Sequence, residues 1–220
     1  MINKIIQGAN TSIQPPKNIS ARFSSVPTWM KPSSEDVYIK NIEEFSQNKT
    51  NLVENKKPLI ISSKGNVKGD IKTEESLKIR VNAMLQGNVQ SKRFMALSPG
   101  AKIIGNASAG EFVALFPGTK IYGDLKFPKD CPKIDIDGEP VNVVWLGTNA
   151  KIGNIDFEDG KGLVVLAGNG IKHVNSEPGN PFSSDGGVEK IKITNGEIVQ
   201  DKEKIDKIYK ALKSKVDVLL

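Results

Sequence analysis

Apolar residues recur every six positions through the middle of the chain, from Ile71 to Leu125. A second series lies two residues behind the first and runs from Ile79 to Phe127, with Ser91 as its polar member. Side chains at i and i+2 point to the same face of a strand. The pattern therefore predicts short strands, each with two inward side chains, separated by bends. From these two series we single out six core residues: Leu77, Ile79, Leu97, Ile103, Leu115 and Ile121.

A Gly-Asn/Asp-aliphatic triplet recurs at three times this interval. Its glycines are spaced 18 residues apart at Gly69, Gly87, Gly105 and Gly123. Glycine tolerates positive φ, and Asn and Asp are the next most tolerant, so each triplet is expected to turn a corner. Three six-residue units then form one turn of a parallel β-helix with a triangular cross-section. A β-sandwich is the alternative, but its hairpin loops vary in length and would not hold this phase.

The segments 87–106 and 111–125 resemble the repeat of the bactofilins. That repeat has Gly-Asn/Asp-aliphatic, an aliphatic triplet, Pro/Glu-Gly-Ala and an aliphatic pair before the next glycine. The resemblance covers roughly residues 59–127. It implies a right-handed triangular β-helix in a bacterial, polymer-forming scaffold without nucleotide or metal. Hexapeptide-repeat proteins share the same length of turn, so the pattern itself leaves the handedness open.

The phase breaks after residue 127, where prolines interrupt the strand pattern. A further Gly-Asn corner occurs at Gly153, which follows Gly123 by 30 residues. The connection is therefore expected to contain two extra six-residue units. We interpret residues 58–200 as one all-β parallel β-helix that is regular to 127 and irregular over 128–200.

The two ends of the chain have different patterns. Residues 1–57 are rich in Asn, Ser, Pro and Lys and predict a flexible arm with one short helix near 35–47. Residues 201–220 predict an amphipathic helix with Asp201 as its N-cap. We expect this helix to cap the last turn of the β-helix, which would otherwise expose its core; docking of a partner or a neighbouring subunit is the alternative. The apolar face of the helix comprises Ile205, Ile208, Leu212 and Val216.

The chain has a net charge of +6, and the charge is unevenly distributed. Residues 58–127 are net basic, whereas residues 128–200 are net acidic. Complementary halves of this kind are compatible with head-to-tail association, which builds a filament if the rotation does not close. Solvated outer faces are the preferred interpretation of the two charged halves. Nucleic-acid binding is disfavoured, because the basic residues are scattered and no aromatic residues alternate with them.

The sequence provides little for catalysis. His173 is the only histidine, which excludes a zinc site of three histidines. Asp135 and Asp137 are a candidate carboxylate pair for sugar chemistry, although a corner or surface role is the preferred interpretation. Cys131 has no assignable base. We therefore predict that the protein is not an enzyme and that it has no catalytic, cofactor-binding or metal-binding residues.

These observations predict a scaffold in the bacterial cytoplasm that associates with itself or with another protein. No apolar run reaches the roughly 18–20 residues of a membrane-spanning helix, so we expect at most peripheral membrane contact through the arm. The rival hypothesis is a secreted bacterial effector, in which a monomeric β-helix is a platform for a host protein. Its support is the Ser/Asn/Ile-rich arm, which resembles export signals that are not cleaved. A sugar-active enzyme acting near Asp135 and Asp137 is a third hypothesis.

Overall fold

A computed structural model describes residues 37–41, 58–174 and 184–217 of the chain, and its side chains are described over 58–174 and 186–212. Short strands, mostly in parallel sheets, are followed by one C-terminal helix, as the sequence predicts. The elements are β1 (Val37–Asn41), β2 (Leu59–Lys68), β3 (Ile71–Thr73), β4 (Leu77–Ile79), β5 (Met84–Gln86), β6 (Val89–Ser91), β7 (Met95–Leu97), β8 (Lys102–Ile104), β9 (Ala107–Ser108), β10 (Phe112–Leu115), β11 (Lys120–Ile121), β12 (Leu125–Phe127), β13 (Ile134–Ile136), β14 (Glu139–Leu146), β15 (Lys151–Ile152), β16 (Ile155–Phe157), β17 (Gly162–Leu166), β18 (Lys172–Val174), β19 (Ser184–Gly187), a 3-10 turn (Val188–Lys190), β20 (Ile193–Thr194), β21 (Gly196–Val199) and α1 (Lys202–Asp217).

The strands pair in three stacks. The first stack contains the start of β2 with β4, β7, β10, β14, β17 and β21, and the second contains the end of β2 with β5, β8, β11, β15, β18 and β19. The third stack runs from β3 through β6, β9, β12 and β16 to β20. From β2 to β12 each strand pairs in parallel with the strand 18 residues away, as Val89 does with Ala107. We call one strand from each stack, taken in chain order, a rung.

The interior of the rungs is filled by the two six-residue series. The structure places Leu77, Ile79, Leu97, Ile103, Leu115 and Ile121 there with no exposed surface. They belong to one cluster that extends from Leu59 to Ile191, which we call the interior cluster. Polar Ser91 is accommodated because its hydroxyl donates to the Glu75 carbonyl over 2.7 Å. Complete burial of one apolar side chain, such as that of Leu97, stabilises the fold by about 1.5–3 kcal/mol.

Two features of the structure require glycine at these corners. The first is positive φ, which the sequence predicts. Gly69, Gly87 and Gly105 have positive φ values of 124°, 152° and 151°, whereas Gly123 does not have a positive φ. The second feature is contact between rungs. A Cβ on Gly105 would lie 2.3 Å from the carbonyl oxygen of Gly87, and one on Gly123 would lie 2.6 Å from that of Gly105. Only glycine lets the backbones approach so closely at this corner.

The extra residues after β12 do not form two further six-residue units, and that expectation is wrong. They form an antiparallel hairpin of β13 with the start of β14, turned at Asp137 and Gly138, whose φ values are 55° and 86°. β14 then rejoins the first stack, where Val143 pairs with Phe112. β15 to β18 and β20 to β21 continue the same stacks in parallel at irregular spacings.

The predicted helix near 35–47 is wrong where the structure describes it, since Val37–Asn41 is the strand β1. β1 pairs in parallel with the start of β2, matching Val37 with Leu59. The rest of the predicted arm lies outside the described residues.

The helix α1 packs against the outside of the first stack, rather than across the last rung as a cap. Its N-cap is Asp201, whose Oδ1 accepts a hydrogen bond from the backbone N–H of Lys204 over 2.7 Å. Its buried residues Ile205, Ile208 and Leu212 belong to a second apolar cluster, which also contains Trp145. Trp145 faces outward because its neighbours Val144 and Leu146 belong to the interior cluster. Val216 lies in α1, but its side chain is outside the described residues.

Replacing Gly105 by Ala tests the contact between rungs. The new Cβ would meet the Gly87 carbonyl, so we expect the free energy of unfolding to fall by about 1–3 kcal/mol more than for Gly118→Ala, as in other overpacked sites. Gly118 is a matched control because it also has a positive φ, 72°, but its nearest atom would be 3.9 Å from the added Cβ. Chemical denaturation measures both losses. If both variants lost the same free energy of unfolding, backbone conformation alone would explain the glycine at position 105.

Candidate functional site

The candidate carboxylate pair lies in the hairpin turn, where each aspartate contacts a different partner. β13 ends before Asp137, so the two aspartates do not share one strand face. Oδ1 of Asp135 accepts a hydrogen bond from the backbone N–H of Gly138 over 2.8 Å. Asp137 lies 3.0 Å from the ammonium of Lys207 on α1, and this contact raises the pKa of Lys207. The two carboxylates therefore stabilise the turn and attach the helix to it.

The remaining chemical candidates are also separate from one another. Cys131 is partly buried, with Sγ 3.7 Å from the Gly110 carbonyl oxygen and 3.5 Å from Nδ2 of Asn142. Burial raises the pKa of the Cys131 thiol, which disfavours the reactive thiolate. His173 is half-buried on β18. Across the described part of the chain, no three His, Cys, Asp or Glu side chains lie close enough to hold a metal ion.

A column of Asn and Asp side chains links the rungs at the Gly-Asn/Asp corner. From Asp70 to Asp124, each Oδ1 accepts a hydrogen bond from the backbone N–H of the Asn or Asp on the next rung, whereas Oδ1 of Asn154 accepts one from the N–H of Lys192 over 3.2 Å. The bonds join Asn88 to Asp70 (2.7 Å), Asn106 to Asn88 (3.0 Å), Asp124 to Asn106 (3.0 Å) and Asn154 to Asp124 (2.7 Å). Sequence reasoning interpreted these residues only as tolerant of turns. The spacing of 18 residues from Asp70 to Asp124 is the sequence signal for the column, whereas Asn154 follows after 30 residues and lies outside that signal.

This column borders a shallow groove of about 690 Å³ along the third stack. Its lining includes the outward side chains Lys72, Gln90, Ser108 and Lys126 of the strands. A second corner carries ions of alternating sign. There Arg93 lies between two glutamates of adjacent rungs, 3.1 Å from Glu111 and 3.4 Å from Glu75. Both corners are thus held by contacts between rungs.

The interior of the stacks is buried at their N-terminal end, although β3 has β6 as its one strand neighbour among the described residues. The inward residues of the first rung, Leu59, Ile61, Val67 and Ile71, are between 0% and 2% exposed. β1 accounts for part of this burial, because it pairs along the start of β2. The interior cluster therefore does not reach the surface at this end.

The C-terminal end is different. Val188, Ile193 and Ile198 pack against the interior cluster but stay partly exposed. Within the described residues, β20 has β16 as its one strand neighbour and β21 has β17, so each strand leaves one edge unpaired. An apolar surface beside unpaired strand edges is typical of a site where another chain adds. We take this C-terminal end, defined by the three partly exposed residues and the edges of β20 and β21, as the candidate functional site.

No family model, curated protein or solved structure matches the chain. Among the described elements, no helix combines the length and the apolar character needed to cross a membrane.

Replacing Asn106 by Leu tests the side-chain column. The change removes the acceptor for the Asp124 N–H. We therefore expect the free energy of unfolding to fall by about 0.5–1.5 kcal/mol. Gln90→Leu is the control, since Gln90 is exposed on the neighbouring strand and lies outside the column. Both variants are compared by chemical denaturation. A loss no larger than that of the control would count against a stabilising role for the column.

Proposed function

We propose that the chain is a parallel β-helix that acts as a non-catalytic scaffold of the bactofilin type. In this proposal the rungs of one molecule continue onto those of the next, head to tail. The support is the register: from β2 to β12 every rung repeats the pairing of the one before it. A rung of a second copy can therefore extend a stack with the hydrogen bonds already used within the chain.

The observation that carries the proposal is the difference between the two ends. The C-terminal end has partly exposed Val188, Ile193 and Ile198 beside unpaired edges. Addition of a chain there would bury apolar surface and satisfy backbone groups together. The basic character of residues 58–127 and the acidic character of 128–200 favour a head-to-tail orientation.

In this proposal β1 controls whether another molecule can add at the first rung. Because β1 occupies the start of β2, a neighbouring molecule can pair fully with the first rung only after β1 leaves. We propose that β1 forms a removable cap. The full chain would then remain largely monomeric until the cap is displaced.

The buried interior at the N-terminal end favours a second candidate function. If the cap never leaves, the molecule is a monomeric platform for another protein, as a secreted effector would be. A scaffold of the bactofilin type would act in the bacterial cytoplasm, whereas the platform would act after export. Neither candidate uses a cofactor, and neither is an enzyme.

Sedimentation velocity and negative-stain microscopy distinguish the two candidates. We expect monomers from the full chain and filaments from residues 58–220, in which β1 is absent. The shorter chain keeps α1, because removing the helix would expose Trp145 and its cluster and cause unspecific aggregation.

Ile193→Lys in the shorter chain should abolish the filaments, because it places a charge on the open end. Gln90→Lys is the matched control, since it adds the same charge on the exposed side of β6 and should leave filaments intact. A monomer for both chains at every salt and protein concentration would reject the scaffold and leave the platform. Filaments from the full chain would keep the scaffold but reject β1 as its cap.

A further inference from the structure

Four lysines form a column on the outer side of the second stack. The strand register pairs Lys102 with Lys120, Lys120 with Lys151 and Lys151 with Lys172. Neighbouring strands are about 4.8 Å apart, so the column places four ammonium groups along a line of roughly 15 Å. We call this the lysine column. Its place in the fold, on the side of the stacks, is distinct from the open C-terminal end.

Nothing that the structure describes neutralises the lysine column. No carboxylate of the described residues forms an ion pair with any of its four members, although Lys120 lies 5.9 Å from the ring of Tyr122. Like charges on directly paired positions destabilise a sheet. The pKa of Lys151 is lowered, first by burial and then by Lys120 and Lys172. The fold therefore tolerates a repulsion that an anionic partner would remove.

The surroundings of the lysine column are also basic. The segments that form this side of the stacks, up to the corner glycines, contain no Asp or Glu: 63–69, 80–87, 98–105, 116–123, 147–153 and 168–174. They add Lys64, Lys68 and Arg80. Asp70 and Asp124 directly follow two of the corner glycines, at the corner with the third stack. Beyond Lys172, the first acidic residues in the described part of the chain are Asp185 on β19 and Glu189 in the 3-10 turn. One side of the molecule is thus cationic over several rungs.

The shape of this side narrows the choice of partner. It is the face of a stack of short parallel strands, and the outward residues beside the lysines include partly exposed Met84 and Ile104. The aromatic residue on this face, Tyr122, is 1% exposed and cannot stack on a base. A second copy is also a poor match, since the described residues contain no column of stacked carboxylates at the same spacing.

We infer that the lysine column docks the protein on an anionic lipid bilayer, with the axis of the strand stacks parallel to the membrane plane. A bilayer needs no match in spacing, because its anionic head groups move laterally and gather beneath fixed cations. Clustered Lys residues near an anionic leaflet are a known source of peripheral binding. Met84 and Ile104 contribute short apolar contacts at the interface. The inference concerns a different surface from the C-terminal end and holds for a monomer or a filament.

Vesicle co-sedimentation of the full chain tests the inference. We expect binding to phosphatidylcholine vesicles that contain phosphatidylglycerol, loss of binding in high salt, and none to phosphatidylcholine alone. The variant Lys102→Gln/Lys120→Gln/Lys151→Gln should bind at least about tenfold more weakly. The corresponding Lys→Arg variant should retain binding, which separates a loss of charge from a loss of fold.

The matched control is Lys161→Gln/Lys192→Gln/Lys210→Gln, which removes the same charge from exposed lysines elsewhere. It should bind within about twofold of the unchanged chain, since these lysines lie outside the column. Equal losses in both triple variants would overturn the inference, because net charge would then explain them. Undiminished binding of the column variant would overturn it too, and would assign membrane contact to another part of the chain. If duplex DNA bound through the column as tightly as the vesicles, the partner would be nucleic acid instead.

Discussion

The structure depends on one repeated interaction, the backbone hydrogen bonds between each rung and the next. At the corner, for example, the N–H of Val89 donates to the Asn106 carbonyl over 2.9 Å, and that of Ala107 to the Asp124 carbonyl over 2.9 Å. Because the pairing from β2 to β12 joins residues 18 positions apart, each side chain there lies on its counterpart in the repeat. Apolar residues therefore form continuous interior rows, and Asn and Asp form a column. Parallel pairing also stacks the lysines, both within the repeat and across the irregular spacings after it, and there its effect is repulsive.

The sequence predicted the interior residues and the corners, which follow the repeat, but not the hairpin or the surface that the helix covers, which do not. Interior residues such as Leu97 and corners such as Gly105 follow from the six-residue phase. The hairpin of β13 and β14 interrupts that phase. The number of extra residues between Gly123 and Gly153 could not show that they pair with each other in an antiparallel hairpin. The stripe of α1 predicted a helix with one apolar face, but not which surface that face would cover. Trp145 explains the position of α1, because it is an outward-facing apolar residue of the first stack against which the helix packs.

The three stacks differ chemically on their outer faces, although the same 18-residue pairing joins their strands from β2 to β12. The first stack is covered on its outside by α1 and the hairpin. The second carries the lysine column, and the third carries the groove beside the Asn/Asp column. The ends differ as well, since the first rung is buried and the last is partly exposed. Stacks with chemically different faces and ends are suited to holding partners in a fixed order, which agrees with the scaffold proposal.

Disulfide trapping across two rungs tests this register most directly. In a Cys131→Ser background, cysteines replace Gln90 and Ser108, which pair on β6 and β9. Paired strands place their Cα atoms about 4.8 Å apart, within the range of about 4.4–6.8 Å that a disulfide needs. Stacked rungs predict rapid formation of this disulfide within one molecule, and none between cysteines at Gln90 and Lys126, two rungs apart. Equal trapping of both pairs, or trapping of neither, would contradict the stacked register.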